Sequence, residues 1–328
     1  MKQSAELTRI IKPIIEDIKL FQEEFEVALK SEVRLINIIT KYVIRHKGKG
    51  IRPILTILAA RMTGGPTLNS YKAAAIVELL HIATLLHDDV VDDAEKRRGF
   101  PTINKLWKNK TAIIMGDFLL SKVLENLIRL RDFDALDLIS TTAERLSTGE
   151  MIQIEKSIKK NMSEEVYYKM IKNKTASLLA TCCEIGVITS SNSGQERESL
   201  REFGENFGMA FQIKDDLFDI LGSEHVTGKD TNSDITKNMI TLPIIHTLSS
   251  PLTASEKVHL KKTLYNHSSK KDIKRLTEIV VDYGGFEYAQ KKIDQFTETA
   301  IEALSVFPDS EYKTSIIELA TYNVNRTN

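Results

Sequence analysis

Apolar residues recur at three- and four-residue spacing along almost the whole chain, and this periodicity is what most limits its fold. Strands need alternation at every second position, and the few alternating runs are short and lack hairpin turn signals. The chain is therefore expected to be all-α. Punctuation agrees: Gly64, Gly65 and Pro66 should stop one helix and Gly284 and Gly285 another, while Ser193 with Glu196 and Thr253 with Glu256 have capping-box spacing. With 15 Gly and 7 Pro in 328 residues, few other breaks are available. Repeats, low-complexity runs and linkers are absent from the sequence, so residues 1–328 are expected to form a single domain.

Charge narrows the partners. There are 45 Lys and Arg against 45 Asp and Glu, so no global field recruits nucleic acid or an anionic membrane, and any anion site must be local. The two cysteines, Cys182 and Cys183, are adjacent and cannot form an ordinary disulfide with each other, which fits a reducing compartment and a role as small core residues. The first 21 residues show helical spacing and lack the apolar run and cleavage site of a signal peptide, so a cytoplasmic location is expected. The longest apolar stretch, 73–91, is interrupted by Glu78, His81, His87 and aspartates, as expected of a buried helix and not of a membrane span.

Two helices, over approximately 69–93 and 195–222, read as apolar nearly all round and hence central. Each ends in acid. Asp88, Asp89 and Asp92 have the spacing DDxxD, and so do Asp215, Asp216 and Asp219. Residues four apart share a helix face, so Asp88 with Asp92 and Asp215 with Asp219 form carboxylate pairs that repel unless a cation joins them. Hard cations such as Mg²⁺ take carboxylate oxygens and complete their shells with water and substrate phosphates. A solvated helix end would explain one copy; two copies favour a diphosphate site. His81 falls on nearly the face of Asp88, whereas His87 reads as structural. Gly204, Gly208, Phe211 and Gln212 line up beneath Asp215 and Asp219, where the glycines leave space along the face or allow close helix packing, two compatible readings. The polar segment 223–238 has the position of a lid or phosphate loop.

Local cations complete the pattern: Lys47, Lys49 and Arg52, then Arg97 and Arg98 after the first acidic cluster, Lys174 before Thr175, and Lys229 after the second cluster. A Gly-spaced lysine run is often only a solvated loop, but with arginine beside it the run suits a second phosphate-bearing ligand.

Taken together, KGKGIRP (47–53), ELLHIATLLHDDVVDDAEKRRG (78–99), MGDFLL (115–120), GEMIQ (149–153), KTASL (174–178), FGMAFQIKDDLFDILG (207–222), GKDTNSD (228–234) and TLP (241–243) resemble the trans-prenyltransferases, or isoprenyl (polyprenyl) diphosphate synthases. The resemblance implies a single orthogonal helical bundle of the isoprenoid synthase type, with the two acidic helix ends facing each other across a deep central cavity, and a homodimer. It implies catalytic roles for Asp88, Asp92, Asp215, Lys174 and Lys229, and about three Mg²⁺ ions held by Asp88, Asp89, Asp92, Asp215, Asp216 and Asp219. Lys49, Arg52, His81 and Arg98 would bind isopentenyl diphosphate. Arg97, Lys174, Thr175, Gln212 and Lys229 would bind an allylic diphosphate. Ionisation, condensation and proton loss would then lengthen the chain.

Two departures stand out: Lys47 and Gly50 replace a Gly and an Arg of the family's basic motif, and Met239 stands where lysine is frequent. Ala83 and Thr84 occupy positions where large aromatics floor the cavity in short-chain members, which implies a medium to long product. Its lipid nature implies handover at a membrane, although the sequence shows no anchor. An HD-type phosphohydrolase would explain His87-Asp88 but not the second DDxxD, and a terpene cyclase normally carries a mixed second metal motif. A subunit of a heteromeric synthase remains a further reading.

Overall fold

The computed structural model describes residues 5–46, 48–221, 240–265 and 270–325. In chain order its helices are α1 (Ala5–Ile10), α2 (Ile15–Ala28), α3 (Arg34–Arg45), α4 (Ile51–Met62), α5 (Leu68–Val91), α6 (Ile103–Leu130), α7 (Phe133–Lys159), α8 (Glu164–Ile171), α9 (Ser177–Ile188), α10 (Gly194–Leu221), α11 (Leu242–Leu248), α12 (Ala254–Tyr265), α13 (Lys270–Asp282), α14 (Gly285–Ala303) and α15 (Glu311–Asn325). A two-residue strand pair, Lys96–Arg97 with Phe100–Pro101, is the only sheet among the described residues. The helical expectation holds. Among the described residues no helix is long and apolar enough to cross a membrane.

Backbone contacts divide the chain into two compact units. The first comprises Met1–Ala143, Leu178–Gly204 and Ala303–Leu319. Its centre is α5, started by a capping box in which Thr67 and Ser70 satisfy each other's backbone N–H groups. Ala73 to Leu80 are buried without exception, which an all-round apolar helix achieves only with neighbours on every side, here α2, α4 and α6. One buried polar knot ties three of these helices: Asp17 accepts from Arg61 Nε (2.9 Å) and Nη2 (2.7 Å) and from the Tyr71 hydroxyl (2.7 Å). After α5 the chain turns through Arg98 (φ 54°) and Gly99 (φ 80°), a left-handed pair that suits the twist of a two-residue hairpin.

The second unit comprises Glu144–Ser177, Glu205–Glu302 and Ala320–Asn328. Its core gathers Tyr167, Ile213, Leu217, Leu242, Ile279 and Ile293 from α8, α10, α11, α13 and α14. Between α8 and α9 runs a single π-helical turn, Lys172–Ala176. Gly284 (φ 69°) separates α13 from α14, as the sequence implied.

Two sequence expectations need correction. The 195–222 helix is not apolar all round: Glu198 and Glu202 are exposed along the start of α10, and consistent burial begins near Phe203. That first stretch is amphipathic because only one side of it meets the core. Of the two capping boxes, Thr253 and Glu256 form theirs, with Thr253 N–H donating to Glu256 Oε2 (2.9 Å) and Glu256 N–H to Thr253 Oγ1 (3.3 Å). Glu196 instead accepts from the Ser191 hydroxyl at 2.6 Å.

Candidate active site

The first acidic motif closes α5. Asp88 and Asp92 are half-buried and one turn apart, and the Asp92 N–H still donates to the Asp88 carbonyl at 2.8 Å. Asp89 differs from both: it is 4% exposed, its Oδ1 accepts from Arg97 Nε at 2.8 Å, and Arg97 Nη2 lies 2.8 Å from the same oxygen in an ion pair. The hairpin brings Arg97 back to the helix end, with Asn104 Nδ2 donating to the Asp89 carbonyl at 3.3 Å. Carboxylates at a helix C-terminus oppose the partial negative charge of the last carbonyls. Cations relieve that opposition, and Arg97 supplies one of them.

Around this helix end lies the basic group that the sequence predicts. A Cβ added to Gly48 would fall 2.5 Å from Arg98 Nη1 and Nη2, so glycine here is what lets the guanidinium lie against the 48–50 loop. His81 is half-buried, and its pKa is pushed well below the ordinary imidazole value of 6.5 by burial first and then by the charges of Arg52, Arg98 and Arg97. The imidazole is therefore neutral near pH 7. Gly50, at φ 68°, caps α4 in the left-handed region, a conformation that an arginine would adopt only under strain. His87 packs sideways, its Nε2 lying 3.2 Å from the Ile113 carbonyl and its ring against Gly116, in keeping with a structural role.

The second motif lies in the last turns of α10, again at a helix C-terminus. Asp215 and Asp219 are half-buried, while Asp216 is 5% exposed and doubly held. Tyr167, fully buried on α8, donates its hydroxyl to Asp216 Oδ2 at 2.6 Å, and Gln212 Nε2 donates to Oδ1 at 2.7 Å. The Thr175 hydroxyl donates to Gln212 Oε1 at 2.6 Å, which turns the amide nitrogen toward the aspartate. Lys174, on the π-helical turn, donates to Gln153 Oε1 at 2.8 Å and forms an ion pair with Glu150 Oε2 at 2.5 Å. α7 reaches that turn because Gly149 lacks a side chain: a Cβ there would lie 2.6 Å from the Lys174 nitrogen.

The glycines beneath the second motif serve packing. A Cβ on Gly208 would fall 2.4 Å from Ala176 Cα, and one on Gly204 would fall 2.7 Å from Ala180 Cα, so neighbouring backbone fills the space that the sequence left open for a ligand. Ala83 is fully buried and Thr84 half-buried, with the Thr84 hydroxyl spent on the His81 carbonyl at 2.9 Å. Lys229 and Met239 lie outside the described residues, as does the 223–238 segment. Tyr167, Glu150 and Gln153, which contact candidate site residues, were not singled out from the sequence; GEMIQ was visible as a motif, but nothing in its spacing pairs it with Lys174.

Among the described residues no three Asp, Glu, His or Cys side chains form a ready-made metal cage. Each motif offers a pair of flanking carboxylates, and such an incomplete oxygen shell suits a cation that takes its remaining ligands from water and phosphate, as Mg²⁺ does.

A family model described as polyprenyl synthetase matches residues 33–280. The all-trans-nonaprenyl-diphosphate synthase (geranyl-diphosphate specific) of Rhodobacter capsulatus is 32% identical over 318 residues, 97% of each chain. Heptaprenyl diphosphate synthase component 2 of Bacillus subtilis is 30% identical over 308 residues, 94% of this chain and 87% of the other. In three dimensions the chain is similar to a polyprenyl synthase from Caulobacter crescentus complexed with calcium and isoprenyl diphosphate, with a TM-score of 0.92 and 29% identity over the full length of both.

Proposed function

The chain belongs to the polyprenyl synthetase family and is a prenyltransferase, and we propose that it condenses isopentenyl diphosphate with an allylic diphosphate in a Mg²⁺-dependent reaction. The observation that carries this reading is the common build of the two DDxxD motifs. In each, the middle carboxylate is tied to protein donors, and the flanking pair lies half-buried at a helix C-terminus. Residues 1–328 are taken as one synthase domain.

Asp88, Asp92, Asp215 and Asp219 would hold about three Mg²⁺ ions, with Asp89 and Asp216 backing them. When bound, such ions neutralise charge on a departing diphosphate. Lys174 and Thr175 orient the allylic diphosphate, with Gln212 beside them, Arg97 adding its charge while bound to Asp89, and Lys229 contributing from the following segment. Lys49, Arg52, Arg98 and neutral His81 hold isopentenyl diphosphate, the arginines offering forked contacts and the imidazole an N–H. The allylic C–O bond breaks, the isopentenyl double bond attacks the resulting cation, and a proton leaves. No protein nucleophile is required.

The small Ala83 and Thr84 support a product longer than farnesyl. Ile114, Leu124 and Ile128 are exposed on α6, which supports assembly with a second copy of the chain. One observation favours a second reading: the Bacillus subtilis relative is named as a component, so this chain could act with a different subunit.

Purified chain, Mg²⁺, labelled isopentenyl diphosphate and geranyl or farnesyl diphosphate test the proposal. A product ladder ending beyond farnesyl, abolished by Asp88→Ala and by Asp215→Ala, is the expected result. A ladder ending at farnesyl would overturn the length assignment. No product from the chain alone, restored by a partner subunit, would establish the second reading.

A further inference from the structure

A hydroxyl from the core of the second unit reaches into its acidic motif. Tyr167 has no exposed surface, and it is packed with Ile213, Leu217 and Ile220 of α10. Its only polar atom reaches Asp216 at 2.6 Å. Asp216 lies within two turns of the end of α10, where helices fray because their last carbonyls lack partners. Apolar contacts carry no directional preference, whereas the bonds from Tyr167 to Asp216 and from Thr175 to Gln212 tie α10 to α8 and to the π-helical turn and fix the rotation of the helix about its own axis. That rotation sets where Asp215 and Asp219 point. Tyr168, next in sequence, packs its ring between Tyr167 and Phe296, with centroids 5.8 and 5.9 Å away, and its hydroxyl faces Glu164 and Tyr288.

We propose that Tyr167 is a positioning residue of the second aspartate motif, acting through Asp216 to hold Asp215 and Asp219 in the orientation that binds divalent cations with diphosphate. The Thr175–Gln212–Asp216–Tyr167 chain is the device: Gln212 holds one oxygen, Tyr167 holds the other, and Thr175 keeps the amide from turning over. The inference rests on the prenyltransferase reading for its catalytic consequence but not for its cation binding.

The test uses the full chain and Tyr167→Phe, which removes only the hydroxyl, with Tyr168→Phe as a control. Mn²⁺ binding in the presence of inorganic diphosphate, followed by electron paramagnetic resonance, is read beside turnover and thermal melting. Tyr167→Phe is expected to weaken Mn²⁺ binding about tenfold, the scale of lost outer-shell partners at metal sites. It should raise the Mg²⁺ needed for half-maximal turnover by a similar factor, leave KM for isopentenyl diphosphate unchanged, and keep cooperative melting. Tyr168→Phe should bind Mn²⁺ as wild type does. In an Asp216→Ala background, which removes the acceptor, the Tyr167→Phe effect should vanish, since both changes cut the same bond.

Wild-type Mn²⁺ affinity in Tyr167→Phe, or additive losses in the double variant, would overturn the proposal. So would loss of cooperative melting, which would make the hydroxyl a folding requirement. A wild-type chain that binds Mn²⁺ with diphosphate but makes no product would overturn the catalytic reading and leave the binding comparison intact as the test of Tyr167.

Discussion

The ammonium of Lys174 lies 2.5 Å from the Glu150 carboxylate, so the cation assigned to the allylic diphosphate is held in place by the GEMIQ segment. Lysine is a flexible point charge, and a fixed anion beside it lowers the entropy lost when a phosphate arrives. Glu150→Ala should therefore lower kcat/KM for the allylic substrate about tenfold, in the range of other lost supporting contacts. Steady-state kinetics should show KM for isopentenyl diphosphate unchanged, and an equal loss for both substrates would sink the assignment.

Arg97→Ala removes the cation paired with a carboxylate that is 4% exposed. Breaking a fully buried pair costs about 3–5 kcal/mol, but the Arg97 side chain is 38% exposed, so screening reduces the expected loss to about 2 kcal/mol. Urea unfolding should show that loss, and Asp89→Asn with Arg97→Ala should show less than the sum of the two single changes.

His81 predicts a pH dependence. Its folded-state pKa lies well below the ordinary imidazole value of 6.5, so below that value the unfolded chain takes up a proton that the folded chain refuses. Stability is then fully present above about pH 6.5 and is lost as pH falls, by up to about 1.4 kcal/mol per pH unit for this one group until its folded pKa is reached. Compared with His81→Gln, the wild-type protein should lose extra unfolding free energy on going from about pH 7 to about pH 5. Parallel curves for the two proteins would show that His81 titrates normally.

Much of this was legible in the residues. Three- and four-residue periodicity gives the helices, Gly64 and Gly284 their ends, and the duplicated DDxxD its carboxylate pairs, because these depend on local geometry alone. What was not legible depends on which distant segments meet. Nothing in the sequence distinguishes Asp89 from Asp88 until the hairpin returns Arg97, nor Asp216 from Asp215 until α8 delivers Tyr167. The hairpin was not read from the sequence, because so short a strand pair leaves no alternating pattern to find. At Gly208 both packing and ligand space were open and compatible readings, and only the proximity of Ala176 shows that packing takes the space there.

Cys182 and Cys183 are the chain's two thiols, and neither exposes any surface in α9. Burial pushes the Cys182 pKa up to about 12, with Arg52 opposing and Glu78 adding to the rise, and it pushes Cys183 well above its ordinary value. An alkylating reagent finds no thiolate until that helix opens, so this sequence carries its own chemical clock. Labelling both sulfurs counts opening events of the first unit, with no engineered probe and no dependence on turnover.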